Sequence, residues 1–331
     1  EAARAFEDHA VKRASGFRAA DGPGPCAADH FRERRTRLEQ SDYLCERVDH
    51  GRTPAKEIWT LYGSESDERG LSLQGTVTRR TVIKTILITG CSSGFGLETA
   101  KYFLDRGWKV IATMRSPRED VLTRSEHLRV LRLDVTDPES IRQVVEAAGA
   151  IDVLVNNAGI GLLNALEGIS MDAVREVFAT NALGTIAMTQ AVLKQFRERG
   201  SGVIINVTSS VTLRPLHLLS VYTATKAAVN AFSESLALEL EPFNVRVRLV
   251  LPGRAPDTRF GENARARMKN GIPDAYTDLA NGVFARWQQA SEITQALDVA
   301  EAVWRAANDP STPLRLPAGA DAVKWAKQAQ G

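Results

Sequence analysis

The sequence predicts an α/β protein built on a doubly wound parallel sheet that runs from residue 82 to residue 331. Three observations predict it. Short apolar runs alternate with longer amphipathic stretches, as in strand–helix–strand units. The runs are β-branched or Leu-rich and apolar almost throughout, which suits strands covered on both faces. A glycine-rich turn joins the first run to the first amphipathic stretch, where such sheets meet their ligands.

In chain order, the strand candidates are residues 85–89, 110–113, 128–133, 153–155, 203–207 and 245–250. A helix is expected after the first run, over 97–106, where the glycine turn ends. Another helix start is well marked: Asp137 as a cap, Pro138 in the first turn and Glu139 precede Ile141, Val144 and Val145. A long amphipathic helix over 221–240 lies between the last two of these strands.

Residues 1–81 differ in kind. They are poor in large apolar side chains and rich in mixed charges, with a Gly/Pro cluster at Asp21-Gly22-Pro23-Gly24-Pro25. Such a segment cannot build a core, so it is read as an N-terminal extension that is either disordered or not natural. Its basic run, 32–37, is read as a solvated charged segment in preference to a contact for RNA or an acidic partner.

Over all 331 residues, 42 Lys and Arg stand against 40 Asp and Glu, a formal charge of +2. That balance argues against nucleic-acid binding as the main task. No apolar run is long enough to span a membrane, so none is expected to be crossed. Cys26, Cys45 and Cys91 match neither a metal spacing nor a disulfide framework, and no signal peptide is read near Glu1. A cytoplasmic protein without a metal is the expectation.

The glycine turn reads Thr89-Gly90-Cys91-Ser92-Ser93-Gly94-Phe95-Gly96. Its glycines let the backbone approach a diphosphate, and the following helix N-terminus favours negative charge. Alone, such a turn can simply reverse the chain. The more specific signal is Tyr222-Thr223-Ala224-Thr225-Lys226, because residues four apart on a helix share a face. A free tyrosine is almost wholly protonated at neutral pH, and a nearby ammonium favours the phenolate, making Tyr222 a candidate general acid or base. Upstream, Asn206-Val207-Thr208-Ser209-Ser210 ends an apolar run.

With its Gly-x-x-x-Gly-x-Gly turn, Asn156-Asn157-Ala158-Gly159, Asn181, Ser209 and the Tyr222/Lys226 pair in this order, the chain over 82–331 resembles the short-chain dehydrogenase/reductase family. The resemblance is to its compact branch, near hydroxysteroid- and retinol-dehydrogenase-like members, which share the tail Arg315-Leu316-Pro317-Ala318-Gly319-Ala320-Asp321-Ala322. It implies a Rossmann-type domain and a catalytic group of Ser209, Tyr222, Lys226 and Asn181, with Ser210 as the alternative to Ser209. Ser209 would hold the substrate oxygen, Lys226 would lower the tyrosine pKa and bind the nicotinamide ribose, and Asn181 would sit at a helix kink and support a proton relay through water. Cofactor contacts would come from Gly90, Ser92, Ser93, Gly94, Phe95, Gly96, Asp134, Val135, Asn157, Ala158, Gly159, Pro252 and Gly253. The family's threonine five residues after the proline is absent, and the first threonine is Thr258, six after it.

Members that prefer NAD carry an acid at the end of the second strand. Here that position is Met114, followed by Arg115, whose guanidinium can grip a 2′-phosphate through paired charged hydrogen bonds. NADP(H) is therefore expected in preference to NAD(H). The substrate is expected to be a hydrophobic ketone, aldehyde or secondary alcohol, because 211–221 is apolar and 254–290 places Phe260, Met268, Ile272, Tyr276 and Phe284 in an irregular lid. His217 is expected to be structural or exposed. The small-residue face Ala224, Ala228 and Ala231 implies, by the same resemblance, a homodimer or homotetramer. Two other readings are a non-catalytic NADP(H)-sensing regulator and a nucleotide-sugar epimerase or dehydratase. The retained tyrosine argues against the first and the glycine spacing against the second.

Overall fold

The computed structural model describes residues 83–265, 267–268 and 271–330. The N-terminal extension 1–81, its basic run, Cys26 and Cys45 lie outside the described residues.

Seven strands form one parallel sheet: β1 (Thr85–Thr89), β2 (Lys109–Met114), β3 (Leu128–Arg132), β4 (Val153–Asn156), β5 (Gly202–Val207), β6 (Val245–Pro252) and β7 (Arg315–Ala318). Their spatial order is β3-β2-β1-β4-β5-β6-β7, so the chain winds outward from β1 in one direction and then resumes beside β1 in the other. The reversal lies between β1 and β4, where open α/β sheets gather ligands beyond the strand carboxyl ends. All six predicted strands are present, with ends displaced by at most two residues, and β7 completes the sheet.

The helices are α1 (Gly94–Leu104), α2 (Pro138–Ala148), α3 (Met171–Phe178), α4 (Gly184–Arg199), α5 (Ser220–Leu240), α6 (Phe260–Arg265), α7 (Thr277–Gln289), α8 (Ala296–Asn308) and α9 (Ala320–Gln330). Strand alternation explains the two layers around the sheet. Ile86 and Ile88 point to one face and pack with Phe103 of α1 and Val303 of α8. Leu87, between them, points to the other and packs with Met188 of α4 and Leu236 of α5. The α2 start is as expected: the Asp137 carboxylate accepts the Glu139 backbone N–H at 3.0 Å.

Helix α1 begins at Gly94, three residues before the predicted start, because its first turn is the glycine turn itself. The stretch 254–290 is not irregular as expected. It holds α6 and the 13-residue α7, where Ala280, Val283, Phe284 and Trp287 recur at helical spacing and pack on Leu163 and Leu218. The strongly polar residues between those positions obscured the period in the sequence. Among the described residues, no helix is long and apolar enough to cross a membrane, and no group of His, Cys, Asp or Glu could hold a metal ion.

Candidate active site

A cavity of about 1670 Å³ opens beyond the carboxyl ends of β1, β2, β4, β5 and β6. That exceeds the roughly 300–1,000 Å³ of a single small-molecule pocket and leaves room for a dinucleotide and a second ligand together. Of the expected site residues, Gly90, Ser92, Ser93, Gly94, Phe95, Arg115, Asp134, Val135, Asn157, Ala158, Gly159, Ser209, Tyr222, Lys226, Pro252 and Gly253 all line it. Gly96 and Asn181 do not; each stands one layer behind the wall.

Glycine is required in the turn for two different reasons. Gly90 has φ +77°, and a Cβ there would lie 2.9 Å from the Ala158 Cα. Gly96 sits inside α1, and its Cβ would meet the Gly90 carbonyl oxygen at 2.4 Å, so it lets the helix approach the strand. The neighbouring Asn pair holds the strands together. Asn157 Nδ2 donates to the carbonyls of Thr89 and Gly90, at 2.9 and 3.2 Å. Asn156 Nδ2 donates to Asn206 Oδ1 on β5 at 2.9 Å. At the end of β3, Asp134 Oδ1 accepts the Thr136 hydroxyl at 2.7 Å and its backbone N–H at 2.9 Å. These bonds, with Arg115 and Arg132 nearby, hold its carboxyl below the usual carboxylate range.

Helix α5 delivers the chemistry. Tyr222 and Lys226 are both buried, one turn apart, with the Lys226 ammonium 5.9 Å from the Tyr222 ring centroid. Ser209 caps the short turn after β5 and brings its hydroxyl within hydrogen-bonding reach of the phenol. Ser210, the alternative, is also buried and lines the same wall, but it is Ser209 that meets the phenol. Lys226 Nζ donates to the Val207 carbonyl at 3.0 Å, which engages one of its three N–H groups. Nζ lines the cavity wall beside Gly159, so its remaining donors suit a polyhydroxylated ligand such as a ribose.

Burial decides both pKa values. It pushes the Tyr222 phenol above its ordinary value, and the Ser209 hydrogen bond opposes this only partly. Burial also brings the Lys226 ammonium down to about 8. The expected depression of the tyrosine by the lysine is therefore not seen in the protein by itself, where loss of water sets the direction of the shift.

Asn181 lies in a five-residue π-helical segment, Ala179–Leu183, between α3 and α4. Such π-helical turns are places where helices commonly bend. Its side chain accepts the Ile160 N–H at 2.8 Å and donates to the Ile160 carbonyl at 2.9 Å and to the Thr225 hydroxyl at 3.1 Å. It thus fastens the β4 loop to α5 directly behind Lys226.

Two contacts escaped the sequence, which placed Phe260 in the lid but not against Tyr222. Phe260 of α6 tilts against Tyr222 at 5.5 Å between ring centroids and covers Gly161. The buried Asp321, at the start of α9, accepts the Arg254 N–H at 2.6 Å and the Thr294 hydroxyl at 2.7 Å. Thr294 in turn accepts the Gly253 N–H at 2.9 Å. The Pro252-Gly253-Arg254 loop is therefore set from 67 residues further along the chain, a separation that leaves no local pattern. Asp321→Asn places an amide N–H₂ against these donors. It should cost about 1–3 kcal/mol in a thermal melt and raise KM for the dinucleotide several-fold with little change in kcat. An unchanged KM would restrict Asp321 to a stabilising role.

The short chain dehydrogenase family model matches residues 84–269. The chain is 40% identical over 197 residues to 3-ketodihydrosphingosine reductase from Bacteroides thetaiotaomicron, covering 58% of this chain and 71% of the relative. It is 40% identical over 181 residues to human retinol dehydrogenase 8, covering 51% of this chain and 58% of the relative. Among solved structures, the closed form of a serine dehydrogenase complexed with NADP+ superposes with a TM-score of 0.62 at 31% identity, covering 72% of this chain and 95% of that one.

Proposed function

Because the chain belongs to the short-chain dehydrogenase family of NAD(P)-dependent oxidoreductases, we propose that it is an NADP(H)-dependent reductase of hydrophobic ketones or aldehydes, with Tyr222 as the proton donor. The observation that carries this reading is the meeting of the Ser209 hydroxyl and the Tyr222 phenol, with Lys226 one turn below, in the cavity that also contains the glycine turn.

The residues present fit the cofactor. The glycine turn and the α1 N-terminus would hold its diphosphate, Asp134 and Val135 the adenine, Lys226 a ribose, and Pro252 and Gly253 the nicotinamide end. When bound, the cofactor supplies the hydride that reduces the carbonyl carbon. Ser209 holds the carbonyl oxygen, and Tyr222 donates its proton to that oxygen as negative charge grows there. A phenol kept protonated by burial is ready for this direction, and the proton it gives up is replaced from solvent. The apolar cluster of Leu163, Leu219, Val283 and Phe284, which lines the cavity, suits an apolar substrate body.

NADP(H) preference rests on Arg115, exposed at the end of β2 on the cavity wall, where Met114 is buried and offers no acid. The test is oxidation of NADPH and of NADH against a panel of ketones. NADPH should give the higher kcat/KM, and Arg115→Gln should reduce that preference about tenfold or more. Preference for NADH in the unmodified protein would overturn the NADP(H) assignment, and oxidation of neither with any ketone would overturn the reductase assignment.

A further inference from the structure

On the side of the cavity formed by α7, α9 and the loop after β5, cations outnumber carboxylates. Arg214, Arg254, Arg286 and Lys324 face Glu292 and Asp321 there. Both carboxylates are already engaged: Glu292 pairs with Lys324 at 2.6 Å, and Asp321 takes the Arg254 N–H and the Thr294 hydroxyl. Arg254 Nη2 donates to the Ala290 carbonyl at 2.6 Å. Arg214 and Arg286 are exposed, and neither has an ion pair among the described residues. The Arg214 guanidinium sits over the Trp325 ring, with its central carbon 3.9 Å from the ring centroid.

That cation–π contact has a chemical consequence. A guanidinium seated on an aromatic face has its flat side occupied, while its in-plane N–H donors stay free to bind an anion through two parallel bonds. The same cavity is also lined by the half-buried Leu216, Phe284 and Trp287. An excess of unpaired cations in a partly apolar cleft raises the local concentration of anions and orients them.

From this arrangement we infer that the substrate is amphipathic: a carbonyl compound whose apolar body ends in an anionic group, a carboxylate or phosphate, held at Arg214 and Arg286. The inference rests on the reductase reading and names its substrate class. An apolar ketone without a charge would fill the cleft but leave the rim with water alone.

Two measurements test it, each with carboxylate and phosphate probes. The first compares kcat/KM for a medium-chain methyl ketone with that for its counterparts carrying a carboxylate or a phosphate at the far end of the chain. The charged ketones should be favoured about tenfold at low salt. The preference should collapse near 0.5 M salt, where charges are screened within a few ångströms, and also in the Arg214→Gln/Arg286→Gln double variant. The second measures quenching of tryptophan fluorescence, from Trp287 and Trp325, by decanoate or decyl phosphate against decanol. Salt-sensitive saturation by either anion supports the site, and whichever binds tighter identifies the head group. Equal kcat/KM for charged and neutral ketones, a preference the double variant keeps, or quenching that decanol matches would overturn the inference. Because the fluorescence measurement needs no turnover, failure of every ketone to react would sink the reductase reading and leave the anion site to be judged by binding.

Discussion

Replacing Tyr222 by Phe should lower kcat for ketone reduction by about 10²–10⁴-fold, the range spanned by a positioned general acid, while the dissociation constant for NADPH stays within about twofold. The phenol is buried and within hydrogen-bonding reach of Ser209, and Phe keeps the ring that packs on Phe260. The substitution therefore removes the proton and leaves the packing. Stopped-flow binding and steady-state turnover separate the two quantities. If the variant turned over at a rate near that of the parent protein, Tyr222 would not be the donor. If affinity for NADPH fell in step with kcat, the loss would lie in the site's construction.

Lys226 should show itself through pH. Its ammonium is buried and its pKa is lowered to about 8 from 10.5 by loss of water. Because kcat/KM reports groups of the free enzyme, reduction should decline through an alkaline limb near pH 8 as Lys226 loses its proton. Lys226→Met should cost about 10²-fold or more in kcat/KM and abolish that limb. The stability consequence has a definite sign. Between about pH 8 and 10.5 the unfolded chain holds the Lys226 proton and the folded one does not, so this group makes stability rise with pH across that window. Below about pH 8 the full cost of the buried charge is present. The Met variant should lack this contribution to the slope. Denaturant melts at several pH values read it directly, and an identical slope in both proteins would mean that Lys226 titrates at its ordinary value.

Local chemistry was legible in the sequence wherever its geometry is set by a few neighbouring residues. The apolar runs gave six strands because a strand covered on both faces must be apolar throughout, whatever surrounds it. Asp137-Pro138-Glu139 marked a helix start because capping is settled within one turn. Tyr222 and Lys226 share a face by helical spacing alone, and the Gly90–Gly96 turn announces close backbone approach on both of its sides. Helix α7 was missed because its apolar positions are few and scattered among polar ones.

Tertiary structure decided what depends on distant partners. Which serine meets the phenol depends on how the loop after β5 is folded onto α5, and the clamp of Asp321 on the Pro252–Arg254 loop joins segments 67 residues apart. The direction of the Tyr222 pKa belongs to the same class. Spacing specifies that a cation stands one turn away, but desolvation sums over every atom that excludes water from the phenol, and those atoms come from α6 and the β5 loop as well as α5. A periodicity is a property of neighbours along the chain, whereas a dielectric environment is a property of the folded whole.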